Sequence, residues 1–365
     1  MIQKIRLSNF KCFSSLELSL RELNVLSGVN SMGKSTVIQS LLLLRQSFEN
    51  GAIMEGLYLN GKYVSIGTGK DLLYSNAETE TIGIYLESDR DRFDGKYEYS
   101  SSADYVHRLP DDLKKQYYYA NLFRQGFEYI SADRLGPQSS YSKSYYEVHE
   151  RKSMGQHGEY AVHFLAENRE QDIHNKKVLY PGGRSEKLHY QVEKWMSEIS
   201  PGVKIEFENY DGANTVGLKI RQMNKDESTP NYYSVKNVGF GISYVLPVVL
   251  SLLKAREGDL LILENPEAHL HPKGQRKMGE LVARAAAGGV QIILETHSDH
   301  LLNGIRLSVK DRVIDGSKVQ VNFFQNNLGT GKKEVLNPQI LEDGRMSFWP
   351  DGFFDEWDKA IDEMF

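Results

Sequence analysis

The segment Gly28-Val29-Asn30-Ser31-Met32-Gly33-Lys34-Ser35-Thr36 satisfies the pattern G-x-x-x-x-G-K-[ST]. Glycines at these two positions let backbone N–H groups, those of Gly28, Asn30 and Gly33 among them, turn inward around phosphate oxygens. A helix beginning near Lys34 aims its positive end at the same point. In such a loop the lysine reaches the β- and γ-phosphates and the serine ligates Mg²⁺. Those roles fall to Lys34 and Ser35, with Thr36 on the α-phosphate side.

A phosphate loop also needs a carboxylate at the end of a neighbouring buried strand to orient the Mg²⁺ shell. Leu260-Leu261-Ile262-Leu263 is a continuous apolar run that ends in Glu264. Asn265-Pro266-Glu267-Ala268-His269-Leu270-His271-Pro272 follows, and a second apolar run ends in Glu295-Thr296-His297-Ser298. Taken alone, His269, His271 and His297 suit imidazole ligands of a metal with carboxylates nearby, but His269 and His271 flank Leu270 just before Pro272 and equally suit a turn entering a helix.

These residues require particular elements behind them. Leu23, Val25 and Leu26 give a short apolar strand before the loop, and Ser35 to Phe48 gives the helix after it. Gly241 to Ala255 reads as a helix, Leu260 to Leu263 as a buried strand, Lys273 to Ala287 as a helix, Val290 to Leu294 as a strand and Ser298 to Leu307 as a helix. Apolar strands flanked by helices imply a mostly parallel sheet covered on both faces. The two ends of the chain are thus expected to build one sheet. Between them the pattern changes to short β-like pieces (57 to 66, 81 to 86, 127 to 131, 203 to 208 and 216 to 220) and one amphipathic helix at Glu186 to Ile199. The expected division is a core of residues 1–50 and 232–330, a β-rich insertion of 51–231 and a C-terminal tail of 331–365.

Composition narrows the class. With 40% hydrophobic and 25% charged residues in 365, the chain has ordinary globular character. Apolar runs such as Leu41 to Leu44 and Val245 to Leu253 fall short of the ~20 residues of a membrane span. The start MIQKIRLSNFKCF lacks a secretory pattern, and a single cysteine, Cys12, suits a reducing compartment, so a cytoplasmic location is expected. A net charge of −5 does not indicate nucleic-acid binding, although a local basic groove is compatible with it.

Together these motifs resemble the ATPase heads of the ABC superfamily in its SMC-like branch, closest to the OLD-type ATPases of bacterial defence. The resemblance rests on the opening strand Ile5-Arg6-Leu7-Ser8-Asn9-Phe10-Lys11-Cys12-Phe13, the phosphate loop, ENPEAHLHP and LETHSDHLL, and covers roughly 1–50 and 232–310. Residues 344–355 look like the tail of an uncharacterised subfamily of these ATPases. The resemblance implies an α/β ABC-type head with an antiparallel β-rich lobe, ATP as substrate, Mg²⁺ held by Ser35 and Glu264, and a homodimer or higher oligomer that sandwiches nucleotide.

It further implies a signature segment at Asn237-Val238-Gly239-Phe240-Gly241-Ile242-Ser243, in which Asn237, Gly239, Gly241 and Ser243 approach the ATP of the other head. The same segment also reads as a glycine turn capping the next helix. His297 falls at the switch-histidine position, or simply finishes a strand. Lys11 falls where relatives keep a basic residue near the nucleotide, or is an exposed lysine. Gln46 falls where a lid glutamine would contact Mg²⁺, or is plain surface, and Arg134 where an arginine would reach phosphate.

One departure matters. Relatives carry Asp-Glu where this chain has Glu264-Asn265, and an amide is no general base. Either Glu267 takes that role, or hydrolysis is slow and ATP acts as glue between heads. The expected function is a slow ATPase that dimerises on ATP and regulates a nuclease or toxin encoded nearby, in anti-phage defence. A DNA-gripping repair ATPase, which predicts a coiled-coil arm and a basic surface, and a nucleotide-binding scaffold are the alternatives.

Overall fold

The computed structural model describes residues 1–110, 120–199, 203–222, 232–237, 241–327, 329, 331–354 and 361–364. In chain order the strands and helices begin with β1 (Ile2–Phe10), β2 (Phe13–Ser19), β3 (Leu23–Gly28), α1 (Lys34–Glu49), β4 (Gly56–Tyr58), β5 (Thr81–Ser88), β6 (Arg92–Glu98) and β7 (Tyr105–His107). Next come β8 (Phe127–Ile130), β9 (Tyr141–Ser142), α2 (Ala161–Asn168), α3 (Leu188–Ile199), β10 (Val203–Tyr210), β11 (Thr215–Gln222) and β12 (Tyr232–Ser234). The chain continues through α4 (Gly241–Lys254), β13 (Leu260–Glu264), α5 (Pro272–Ala287), β14 (Gln291–Glu295), α6 (Asp299–Lys310), β15 (Val319–Asn326) and β16 (Lys333–Leu336). Two compact units result: Met1–Phe127 with Val319–Gln339 and Ser347–Phe365, and Glu128–Lys318 with Ile340–Met346.

In the first unit, β2-β1-β5-β6 form an antiparallel sheet. Ile2, Ile5, Leu7 and Phe10 of β1 are all buried, although Ile2 and Ile5 differ in parity. A register shift between Ile2 and Lys4 in the pairing with β5 accounts for this, because a bulge moves later side chains to the opposite face. β3 is buried from Leu23 through Ser27. It pairs in parallel with β15, from Val319↔Leu23 to Phe324↔Gly28, and β16 returns antiparallel along β15. Helix α1 buries all of Leu41 to Leu44. It stops at Asn50, where Gly51 takes the left-handed φ of 74° that ends helices without steric cost.

The second unit has parallel β13 and β14, paired from Leu260↔Gln291 to Glu264↔Glu295, with β8 on the far side of β13. Between their polar ends both strands are apolar and buried, Leu260 to Leu263 and Ile292 to Leu294, as suits parallel strands covered on two faces. Helix α5 starts with Pro272 at its first turn behind His271, and α6 is capped by Ser298, whose Oγ accepts 2.9 Å from Leu301 N. Strands β10-β11-β12 make a separate antiparallel sheet, with β9 also on β11. Helix α3 packs its stripe of Leu188, Val192, Trp195 and Met196 inward, and the Trp195 indole donates 2.9 Å to the Val178 carbonyl.

Several elements differ from the sequence expectation. Residues 57 to 66 are a strand only through Gly56–Tyr58, because the Tyr63 and Val64 N–H groups donate to the Gln46 side chain instead of to a neighbouring strand. β6, β7, α2, β15 and β16 lie where no element was expected. The stretch from Tyr97 reads as polar, yet Tyr97 in β6 is fully buried. Among the described residues, no helix is long and apolar enough to cross a membrane.

Candidate functional site

The phosphate loop follows β3 directly. Gly28 has φ 129° and Gly33 φ 107°, backbone that side-chain-bearing residues rarely adopt. Space forbids a side chain as firmly as torsion does. A Cβ on Gly28 would stand 2.1 Å from the Phe324 carbonyl oxygen of β15, and one on Gly33 would stand 2.3 Å from the Phe13 ring. The loop is therefore drawn tight, while Val29, Asn30 and Ser31 at its apex are exposed. Lys34, at the start of α1, is buried and folds back so that its Nζ donates 2.8 Å to Gly28 O and 3.0 Å to Val29 O. Ser35 is exposed beside it, and Thr36 Oγ1 lies 3.4 Å from Cys12 Sγ.

Lys11 lies against the same helix. It sits in the turn between β1 and β2 with φ 50°, and its Nζ donates 2.8 Å to Gln39 Oε1 of α1. It is half-buried, and burial lowers its pKa; the exposed-lysine alternative does not hold. Gln46 is not surface either. Fully buried, it donates 2.7 Å to Tyr58 O and accepts from two loop N–H groups, which commits its amide to backbone.

In the second unit, Glu264 ends β13 with its carboxylate held from three sides. Oε2 accepts 3.1 Å from Ala132 N, the Tyr129 hydroxyl bonds to it, and Arg134 lies alongside. Burial raises the pKa of Glu264, against the pull of those hydrogen bonds and of Arg134. Burial and the nearby carboxylate likewise raise Tyr129. The Arg134 guanidinium, itself buried, donates to Ser131 O at 2.8 Å, Glu264 O at 2.7 Å and Asn265 O at 2.7 Å. Its two terminal nitrogens thus bind backbone carbonyls and brace the strand end, while its Nε is buried without a hydrogen-bond partner.

Asn265 has φ 43°, a conformation asparagine tolerates better than most residues, and its N–H donates 2.9 Å to Glu295 O. Its Oδ1 is buried without a partner. Glu267 is buried, with Oε1 accepting 2.7 Å from Thr296 Oγ1 and 3.1 Å from His297 N. Its Oε2 is buried and unpartnered, and burial raises its pKa. His297 itself is exposed. The loops after β13 and β14 thus meet through Glu267.

The histidine alternatives separate here. His271 caps α5, accepting from Lys273 N at 3.4 Å, and His269 rests on Tyr244, ring centroids 4.4 Å apart. Among the described residues, no group of three His, Cys, Asp or Glu is arranged to hold a metal. Of the signature segment, Asn237 closes a short helical turn and Gly241 opens α4, with room for a Cβ only 3.0 Å from His269 O. Ser243 is buried, its Oγ 3.4 Å from the Tyr141 hydroxyl. Gly239 lies outside the described residues.

Two participants escaped the sequence reading. Tyr129 carries a weak signal, since it sits in a strand-like run just before Arg134. Lys333 carries none: its Nζ donates 2.6 Å to the Ser31 carbonyl of the phosphate loop, across 302 positions of chain.

Taken separately, the donors of each unit suit this chemistry: phosphates of a nucleoside triphosphate in the first, a divalent cation in the second. The first unit offers a glycine cradle that any Cβ would fill and a helix N-terminus with an exposed serine hydroxyl. The second offers a carboxylate whose desolvated charge a divalent cation would stabilise.

A glycine–lysine loop between strand and helix, and buried parallel strands ending in carboxylates, belong to an SMC-head-like ABC ATPase fold with additional antiparallel sheets. The SMC head crystallised with the C-terminal winged-helix domain of ScpA superposes with a TM-score of 0.51 at 10% identity, over 93% of this chain and 98% of that one. The SMC head with an extended coiled coil bound to the C-terminal domain of ScpA, from Pyrococcus furiosus, gives 0.50 at 13% identity, over 100% and 99%. At such identities the likeness is one of fold. The family model described as "AAA domain, putative AbiEii toxin, Type IV TA system" matches residues 23–303, and the chain belongs to that family. A second model, described as "Protein of unknown function (DUF3696)", matches residues 314–364. None of the curated proteins matches the chain.

Proposed function

We propose that this protein binds ATP with Mg²⁺, hydrolyses it slowly to ADP and phosphate, and uses the nucleotide to close a homodimer or higher oligomer of heads. The observation that carries this reading is the phosphate loop itself: two left-handed glycines packed too tightly for any side chain, with Lys34 folded over the loop at a helix N-terminus. In it the backbone of Gly28, Asn30 and Gly33 with Lys34 and Thr36 hold the triphosphate, and Lys11 stands beside the helix that follows. Ser35 and Glu264 hold the metal, which neutralises phosphate charge. The signature segment with Asn237, Gly239, Gly241 and Ser243 is the part assigned in this reading to the partner head's nucleotide. Residues 1–50 and 232–330 form the ATPase core in this reading, 51–231 an insertion and 331–365 a subfamily tail.

For hydrolysis, Glu267, two residues beyond Asn265, takes the role of general base, and its raised pKa is the direction a general base needs. Glu267 also accepts the His297 N–H and so holds the backbone that bears the exposed His297 side chain, the switch histidine that in this reading contacts the γ-phosphate and the attacking water. Phosphoryl transfer relies on positioning and charge more than on one base, hence slow turnover and not none. Asn265, placed where relatives carry the catalytic glutamate, favours a second reading in which ATP is bound and scarcely hydrolysed.

The family description, with its toxin and type IV toxin–antitoxin wording, supports a place in bacterial defence. We assign the chain to the OLD-type branch as a cytoplasmic sensor of a nuclease or toxin partner. Phosphate release from ATP and Mg²⁺ by wild type, Lys34→Ala and Glu267→Gln tests the reading, with light scattering to follow dimerisation. Release by wild type that both variants lose supports it. If no variant differs from buffer while ATP still dimerises wild type, hydrolysis is excluded and the scaffold reading stands; if ATP does neither, both fail.

A further inference from the structure

The β15–β16 hairpin and its packing partners touch the phosphate loop at three points. Where the chain enters the loop, the Phe324 backbone lies against Gly28. Where it leaves, Phe13 closes over Gly33, and the Phe13 and Phe324 ring centroids lie 6.4 Å apart. At the apex, Lys333 Nζ donates 2.6 Å to Ser31 O.

Ser31 is the residue that needs holding. It is exposed and has φ 65°, a left-handed backbone that a non-glycine residue keeps only where its surroundings enforce it. Lys333 is well placed to enforce it. It pairs with Asn326 at the end of the hairpin, and the next residue, Glu334, accepts 2.7 Å from Gln325 Nε2 and 2.7 Å from Asn327 Nδ2. Those bonds hold the carboxylate charged and its pKa low and fix the strand from which Lys333 reaches. Among the described residues no ion pair joins the Lys333 ammonium to a carboxylate, and its hydrogen bond goes to the Ser31 carbonyl of the loop.

We infer that Lys333 is a positioning residue for the bound nucleoside triphosphate: by gripping the Ser31 carbonyl it keeps the loop's N–H groups curled toward the phosphates. The segment matched as a protein of unknown function, residues 314–364, thereby gains a task, as the brace that completes the phosphate loop. The inference rests on the ATP-binding reading above.

Binding of a fluorescent N-methylanthraniloyl ATP with Mg²⁺ to the full chain tests it. Removing a charged hydrogen bond in Lys333→Met weakens binding roughly ten-fold, whereas Lys333→Arg, which still reaches a carbonyl, stays within about two-fold of wild type. Both variants keep the wild-type melting temperature, because the lysine is part-exposed and supports no core. In phosphate release, KM for ATP rises in Lys333→Met by the same factor while kcat holds. A Lys333→Met protein that binds like wild type overturns the inference, and so does an equal loss in the Met and Arg variants with a lowered melting temperature, which is the signature of a damaged hairpin. If wild type and Lys34→Ala bind equally, the ATP-binding reading itself has failed.

Discussion

At Gly28 one methyl group separates a working loop from a broken one. Its Cβ would meet a backbone oxygen at 2.1 Å, and backbone, unlike a flexible side chain, has no rotamer in which to retreat. Gly28→Ala is therefore expected to cost about 3 kcal/mol or more from overpacking and left-handed strain combined. Urea denaturation measures it; a loss under about 1 kcal/mol would mean that β15 yields easily. Arg134 is a second decisive residue. Arg134→Ala leaves the carbonyls of Ser131, Glu264 and Asn265 without their charged donor inside the unit, with an expected loss of about 3 kcal/mol or more. Arg134→Lys keeps the charge but not the fork, so it should recover part of that stability and part of any ATPase activity. The type of each residue was visible in the sequence. Its partners were not: Arg134 reads as a phosphate-seeking arginine until its donors are seen on backbone, and Gln46 reads as surface until its amide is found satisfying Tyr58, Tyr63 and Val64.

Elements with a strong period were legible. The helices after the phosphate loop and around the two acidic strand ends follow from apolar spacing and caps that the sequence displays, Ser298 before α6 and Pro272 at the start of α5. Helix α3 shows the same logic, since Leu188, Val192, Trp195 and Met196 recur at helical spacing and are buried together with Gln191. Trp195→Ala, which empties a fully buried ring site and strands the Val178 carbonyl, should cost about 3–5 kcal/mol, read as a shift in denaturation midpoint with an unchanged slope. Loss of less than about 1 kcal/mol would show that α3 is peripheral to the second unit's stability. Strands gave weaker signals. β15, with its run VQVNFFQN, and β6, with RFDGKYE, mix polar and apolar residues. Their identity as strands comes from partners distant in sequence: β15 is fixed by β3, nearly three hundred positions away.

For the molecule as a whole, ligand linkage offers the broadest test. A ligand that binds only the native state at a hundred times its Kd adds about 2.7 kcal/mol to stability, so ATP with Mg²⁺ should raise the melting temperature of wild type. Chelating the metal with EDTA should remove most of that rise, and Lys34→Ala should show none. An equal rise with and without EDTA would place the metal outside the binding energy. The apolar strands, the glycine–lysine loop and the glutamate that ends β13 are local properties, and local chemistry alone fixed the class of site they make: torsional freedom at glycine, charge at lysine and carboxylate, and burial of unbroken apolar runs act over a few residues and are written in consecutive letters. Tertiary structure decided the remainder: that Phe324 presses on Gly28, that Arg134 grips a strand end, that Lys333 crosses to Ser31. Those contacts join residues far apart along the chain, and no short window of sequence carries the geometry of a neighbour supplied by folding.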